Sequence, residues 1–464
     1  MGRTNARARW RAAAAVFLAA GFVVGLVTAP AFAGDSIRED QWHLDAMNAA
    51  EMWKVSKGEN VTVAVIDSGF KLDHPDLAGQ FLAGKDFSGS PGGVGSYVKG
   101  HGTQMASLIA GTGKANGGKG AYGLAPGAKI LPLKIANGDE GSVLNSEFMG
   151  QIGQAVTYAV EQGAKVINIS QGTNAVSVNP EDVEKLNKIL ARARAKGTLV
   201  VASVGNSAQS GNPVEYPGAL PNVVGVGASD RSGAVTAESE HGPQVTLVAP
   251  GMDMIASCTG ATGFCKGHGT SDAAAVVSAS AALVWSVHPE WTANQILRVL
   301  INTAGKPKDG SERTDDAGYG AVRPRIALTS PGDPGPSGQS PLPADAAAPS
   351  TVPSLGASVS ARPSAAPVPT ESPTDVAVGA PTAQPVAEKS SGSGSALPIV
   401  AGVVAGLVLV AGVVFAVVRR RRKPVVRPEV QAPPVPAQQP LGAVAPPPPS
   451  YRPPVPPEDN PYAK

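Results

Sequence analysis

Cysteine is nearly missing from this chain: two residues in 464 exclude a scaffold held by several disulfides and a zinc site built from four thiolates. Aromatic residues make up 5% and charged residues 16%, with a net charge of +2, so no basic surface for nucleic acid is implied. No Gly-x-Ser-x-Gly stretch occurs, which excludes the nucleophile elbow of a lipase or esterase of the α/β-hydrolase kind. No Leu-Pro-x-Thr-Gly motif precedes the hydrophobic run near the carboxyl end, so that run is not a cell-wall sorting signal.

What is present is strongly segmented. The amino end reads "MGRTNARARWR", then an apolar stretch, then "APAFAG", the order of a secretory signal peptide over residues 1–33 with cleavage after Ala33. An uncleaved anchor is the other reading of those residues, and either one exports the rest of the chain. A second apolar run without charge, Leu397 to Val418, is long enough to cross a bilayer, which needs about 20 residues. "RRRRK" from Arg419 to Lys423 follows directly. The positive-inside rule then places the tail 419–464 in the cytoplasm and everything before Leu397 outside, a single-pass type I arrangement in the cell membrane. Residues 331–395 are rich in Pro, Ser and Ala and cannot bury enough apolar surface to fold, so they read as a disordered stalk. The tail is basic and then proline-rich. In an exported domain the even pair Cys258 and Cys265 favours a local disulfide, with two free thiols as the alternative.

Residues 34–60 form an N-terminal extension, and 61–330 are the one folded domain. Six runs in it are apolar at nearly every position: Val61 to Asp67, Ala128 to Ile135, Lys165 to Ser170, Thr198 to Gly205, Asn222 to Ala228 and Gln244 to Pro250. Such runs are strands covered on both faces. Helical patterns lie between several of them: Asn145 to Gly163, with apolar residues every three or four positions, and Asn179 to Gly197, which opens with Asn-Pro and carries acids early and bases late. The fold class is α/β, a mostly parallel, doubly wound sheet with helices on both faces, and function is expected on loops leaving the carboxyl ends of strands.

At those ends stand Asp67 in "VAVIDSGF", His101 in "GHGTQMASLIAG" and Asn206 in "VVASVGN", while Ser271 in "GHGTSDAAA" opens an apolar helix. A serine hydroxyl needs a base within hydrogen-bond reach, and the base needs a third group to fix its tautomer; Ser271, His101 and Asp67 suit those roles. The helix after Ser271 aims backbone N–H groups at any anion formed there, and the Asn206 amide offers a second donor, so Asn206 and Ser271 are the oxyanion-hole candidates.

These four blocks resemble the aspartate, histidine, oxyanion-asparagine and serine blocks of the subtilisin-like serine proteases. "INISQG" resembles the family segment that pairs with the substrate backbone, which makes Ser170, Gln171 and Gly172 substrate-binding candidates. Signal peptide, "IREDQWHLDAMNAAEMW", protease domain, stalk, membrane helix and basic tail together resemble the mycosins, membrane-anchored subtilases of type VII secretion systems. The resemblance implies polypeptide substrates, the secretion machinery as a possible partner, contact with the membrane through one helix, and no cofactor. The alternative is a catalytically weak or inactive scaffold that stabilises a secretion complex. Too few residues precede Asp67 for a folded inhibitory pro-domain, so the extension should pack on the domain. Asp73, Asp76 and Asp139 are read as solvated acids, since no calcium loop is recognisable, and no metal is expected. His74 and His268 are read as structural or peripheral, and His43, His241 and His288 belong to no constellation. Asp272, beside Ser271, departs from the family pattern: near the oxyanion site it opposes the developing charge, unless it faces solvent as a first-turn helix acid.

Overall fold

A computed structural model describes residues 36–97, 99–136, 145–342 and 462. The strands in chain order are β1 (Thr62–Asp67), β2 (Lys85–Asp86), β3 (Lys129–Lys134), β4 (Val166–Ile169), β5 (Thr173–Asn174), β6 (Leu199–Ser203), β7 (Glu215–Tyr216), β8 (Val223–Ser229), β9 (Val245–Pro250), β10 (Met254–Ser257) and β11 (Phe264–Gly267). Seven of them form one sheet in the order β2-β3-β1-β4-β6-β8-β9, with every pairing parallel. The six runs read as strands from sequence are β1, β3, β4, β6, β8 and β9. Two-residue β2, β5 and β7 carry no readable period, and the hairpin β10–β11 lay hidden in a loop-like stretch.

Period-2 alternation explains the layers. Val63 and Val65 of β1 enter one apolar cluster with Met105, Leu108 and Ile109, whereas Ala64 and Ile66 enter another with Phe148, Ile152 and Val156. The helices supplying the first face are α4 (His101–Ala110) and α7 (Thr270–Val287), and those on the second are α5 (Asn145–Glu161) and α6 (Pro180–Ala195). Cap chemistry sets the limits of α6: the Asn179 side chain accepts the Glu181 N–H at 3.0 Å, worth about 1 kcal/mol, and Gly197 takes φ +85° just past its end. Among the described residues, α7 is the one helix long and apolar enough to span a bilayer, but it is buried within the fold as its central core helix. The segments 1–33 and 397–418, read as signal peptide and membrane helix, lie outside the described residues, as does Asp139.

The extension packs on the domain. Its short helices α1 (Ile37–Asp40), α2 (Trp42–Ala46) and α3 (Ala49–Met52) are pinned by side chains to distant backbone. Gln41 donates to the carbonyls of Tyr122 (2.8 Å) and Ile255 (2.9 Å), and the Trp42 indole to that of Met252 (3.0 Å). His43 is buried here, and burial holds its ring down to about pKa 3, so it is neutral at physiological pH. Beyond α8 (Ala293–Asn302) and α9 (Pro324–Thr329), the start of the segment read as stalk stays against the domain: Arg298 donates to the carbonyls of Pro334 (2.7 Å) and Gln339 (2.6 Å). Tyr462 is buried in the core with its hydroxyl against Ser229.

Candidate active site

Three neighbouring central strands, β1, β4 and β6, deliver Asp67, Ser170 to Gly172 and Asn206 from their carboxyl ends, while His101 and Ser271 stand in the first turns of α4 and α7. Asp67 closes β1 and is fully buried, and a buried anion persists only where donors surround it. Its Oδ1 accepts the Ser68 N–H at 2.7 Å and the Ser68 hydroxyl at 3.3 Å. Nδ1 of His101 lies 2.9 Å from both carboxylate oxygens.

The flanking glycines make that approach possible. Gly100 caps α4 in the left-handed region at φ +70°. A Cβ on Gly102 would stand 2.6 Å from the Gly69 carbonyl and 3.0 Å from the Asp67 Cβ, so any larger residue would push α4 away from the end of β1. The same logic holds at the serine. Gly269 takes φ +126° before α7, and a Cβ there would sit 3.1 Å from the Asn206 amide.

Ser271 donates its hydroxyl to the Ser170 carbonyl at 3.2 Å, while the Ser170 hydroxyl donates to the Ser271 carbonyl at 3.0 Å. Asn206 is fixed by one end of its amide: Oδ1 accepts both the Thr270 N–H (2.8 Å) and the Thr270 hydroxyl (3.0 Å). Its NH2 end is therefore the one left to donate. Ser170, Gln171 and Gly172 follow β4, and the Gln171 amide donates to Asp67 Oδ1 at 3.4 Å. A cleft of about 620 Å³ is lined by His101, Ser271 and Asn206 together with these three residues. No described residue of the extension, 36–60, lines it.

Residues 58–322 match the model of the subtilase family. The chain belongs to the subtilase family. Among curated relatives this subtilase is 35% identical to the major intracellular serine protease of Bacillus subtilis (strain 168) over 257 residues, 53% of this chain and 75% of that protein. Among solved structures it is similar to MycP1 from Mycobacterium smegmatis, with TM-score 0.54 and 28% identity, over 64% of this chain and 86% of that one. It is also similar to a chain in the periplasmic assembly from the ESX-5 inner membrane complex, with TM-score 0.56 and 28% identity, over 68% of this chain and 90% of that one. The mycosin-type likeness read from sequence is thus matched by its structural neighbours.

Asp272 of this subtilase does not face solvent as a helix-end acid would. It is 1% exposed; Oδ1 accepts the Gln104 amide at 2.9 Å, and Oδ2 is buried without a hydrogen-bond partner. Burial pushes its carboxyl up to about pKa 7, against the opposing pull of His101, Gln104 and His268. Gln104 went unnoticed in the sequence, although it stands one helical turn after His101 on the same face.

Asp76 is corrected likewise: it is no solvated acid but fully buried, accepting the N–H groups of Ala115 (2.7 Å) and Ala121 (2.9 Å) and the Ser257 hydroxyl (2.9 Å). Asp73 is exposed beside Lys71, 3.1 Å away. Among the described residues no group of three or more His, Cys, Asp or Glu is placed to hold a metal ion. The structure joins Cys258 to Cys265 across β10–β11, with Cα atoms 5.7 Å apart, and His74 ties this hairpin down through Gly263 O at 2.9 Å. His268, at the cleft rim, pairs with Glu238 at 2.8 Å, which raises its pKa.

Proposed function

We propose that this subtilase is a membrane-anchored, extracytoplasmic serine endopeptidase that cuts exported polypeptides with Asp67, His101 and Ser271. The observation that carries the reading is the contact of His101 Nδ1 with the buried Asp67 carboxylate, 2.9 Å to each oxygen, in a cleft that Ser271 also lines. With Nδ1–H committed to Asp67, Nε2 is the basic nitrogen. A turn about the Ser271 Cα–Cβ bond takes its hydroxyl from Ser170 O toward the imidazole, as substrate binding often tightens such contacts. Nε2 then accepts the hydroxyl proton as Oγ attacks the scissile carbonyl. The Asn206 NH2 and the Ser271 N–H hold the oxyanion, each such donor being worth about 3 kcal/mol. The proton passes to the leaving amine, and a water, deprotonated by the same nitrogen, releases the acyl-enzyme.

Segments 1–33 and 397–418 serve in this reading as export signal and anchor, 331–395 as stalk, and the Cys258–Cys265 disulfide steadies the hairpin beside the Gly100 turn. Type VII secretion machinery is the partner, by likeness to the MycP1 and ESX-5 chains. The test is a strain carrying Ser271→Ala: its cultured proteins should show uncut substrates while the protein stays in the membrane fraction, and deletion of 397–418 should release it. Normal processing with Ser271→Ala would favour the scaffold reading instead.

Asp272 gives a pH prediction. An acid whose pKa rises from 3.8 unfolded to about 7 folded binds its proton more tightly in the native state, so stability falls as pH rises between those values. Asp272→Asn should abolish that decline, read as a smaller loss of Tm between pH 5 and pH 8. The ionised carboxyl and the His101 imidazolium also favour each other, so the variant should move the acid limb of kcat/KM to lower pH. An unmoved limb and an unchanged Tm difference would contradict the assignment.

A further inference from the structure

The cleft holds acidity that the mechanism does not use. Beyond Gly172, β5 runs antiparallel to β7, and Asn174 stands opposite Glu215. Glu215 lines the same cleft as Ser271 and Asn206. A Cβ on Gly172 would come within 2.9 Å of Glu215 Oε2. The opposite wall is Gly205, whose missing Cβ would meet the Glu240 carboxylate at 2.4 Å. Glu215 is thus the carboxylate that lines the slot, while Glu240 packs behind the Gly205 wall.

Glu240 is fully buried. Its backbone N–H donates to the Gly205 carbonyl at 3.0 Å, and its Oε1 accepts the Ser207 N–H at 3.3 Å, so the side chain is fixed behind the Asn206 turn. Burial first, then the neighbouring Glu215 carboxylate, raise the Glu240 pKa to about 8. The Glu240 carboxyl shares a hydrogen bond with Glu215 and its raised pKa keeps it neutral near pH 7, so Glu215 carries the negative charge that a cation in the slot would meet.

Building on the proposed peptidase reading, we infer that the slot between Gly172 and Gly205 takes a cationic substrate side chain, lysine or arginine, on the residue before the cut bond, with Glu215 as its direct counter-charge and Glu240 behind it. The placement follows from the chemistry. The carbonyl under attack lies between Ser271 and Asn206, and the side chain of the residue that carries it points into whatever opens beside them, which is this slot. A long, flexible lysine or arginine stem suits walls without side chains, and its head reaches the Glu215 carboxylate.

The test is cleavage of fluorogenic peptides by the full-length protein, identical except for Lys, Arg, Leu, Phe or Glu before the cut. Lys and Arg peptides should exceed Leu and Phe in kcat/KM by about 100-fold, and Glu215→Gln should bring that ratio close to one. Glu215→Arg should cut the Glu peptide that the wild type refuses, a gain that misfolding cannot imitate. Preference of the wild type for Leu or Phe, or an unchanged ratio in Glu215→Gln, would overturn the inference. Fluorophosphonate labelling of the wild type separates the two claims: label on Ser271 without cationic preference sinks only this one, whereas no label sinks the peptidase reading beneath it.

Discussion

Ser271→Ala is expected to lower kcat for peptide hydrolysis by about 10⁶-fold, because a serine and a histidine that act as one unit lose nearly everything when either is removed. His101→Ala should cost about the same, and the double variant scarcely more than either single one. That non-additivity distinguishes a shared proton relay from two independent contributions. Stability should hardly move. The Ser271 hydroxyl donates only to the Ser170 carbonyl, a bond worth about 1 kcal/mol net, while the reciprocal bond from Ser170 goes to backbone and survives the substitution. The check is steady-state kinetics on the purified variants together with thermal unfolding: a collapsed Tm in Ser271→Ala would make the lost activity uninformative, and additive losses would contradict the unit.

For Asp67→Asn a fall in kcat of about 10⁴-fold is expected, with KM little changed. The site dictates how the new amide must sit. Its oxygen has to accept the Ser68 N–H, now 2.7 Å from Asp67 Oδ1, so its NH2 is turned to His101 Nδ1. Nδ1 then becomes an acceptor and the ring proton moves to Nε2, the nitrogen that should take the serine proton. The fold loses little, but the base points the wrong way. Nitrogen-15 spectra of the ring should show this switch of tautomer directly, and retention of Nδ1–H in the variant would contradict the assigned role of Asp67.

Where the sequence was legible, a local pattern carried the information. Unbroken apolar runs gave β1, β3, β4, β6, β8 and β9, because a strand covered on both faces has no polar position to spare. Asn179 and Gly197 marked the ends of α6 through side-chain and backbone preferences that act within a few residues. Asp67, His101, Asn206 and Ser271 stood out because polar residues flanked by glycine at the ends of apolar runs have few other uses. The misreadings concern acids whose surroundings come from far away. Asp76 reads as a surface acid until the N–H groups of Ala115 and Ala121 close around it, and Asp272 stays open between a solvent-facing helix acid and a charge near the oxyanion site until Gln104 folds across it. Glu215 in the two-residue strand β7 and Glu240 in the loop before β9 are brought together only by the β5–β7 pairing and the Gly205 turn. Burial of a charge is a property of the assembled fold, and no periodicity announces it.

Catalysis in the proposed reading turns on His101 activating Ser271 under the direction of Asp67. Mass spectrometry of the protein after brief treatment with a fluorophosphonate measures that most directly. One adduct on the Ser271 peptide of the wild type, and labelling slowed by orders of magnitude in His101→Ala and Asp67→Asn, is the predicted result. Labelling of Ser271 at the same rate in all three proteins, or an adduct on a different serine, would contradict it.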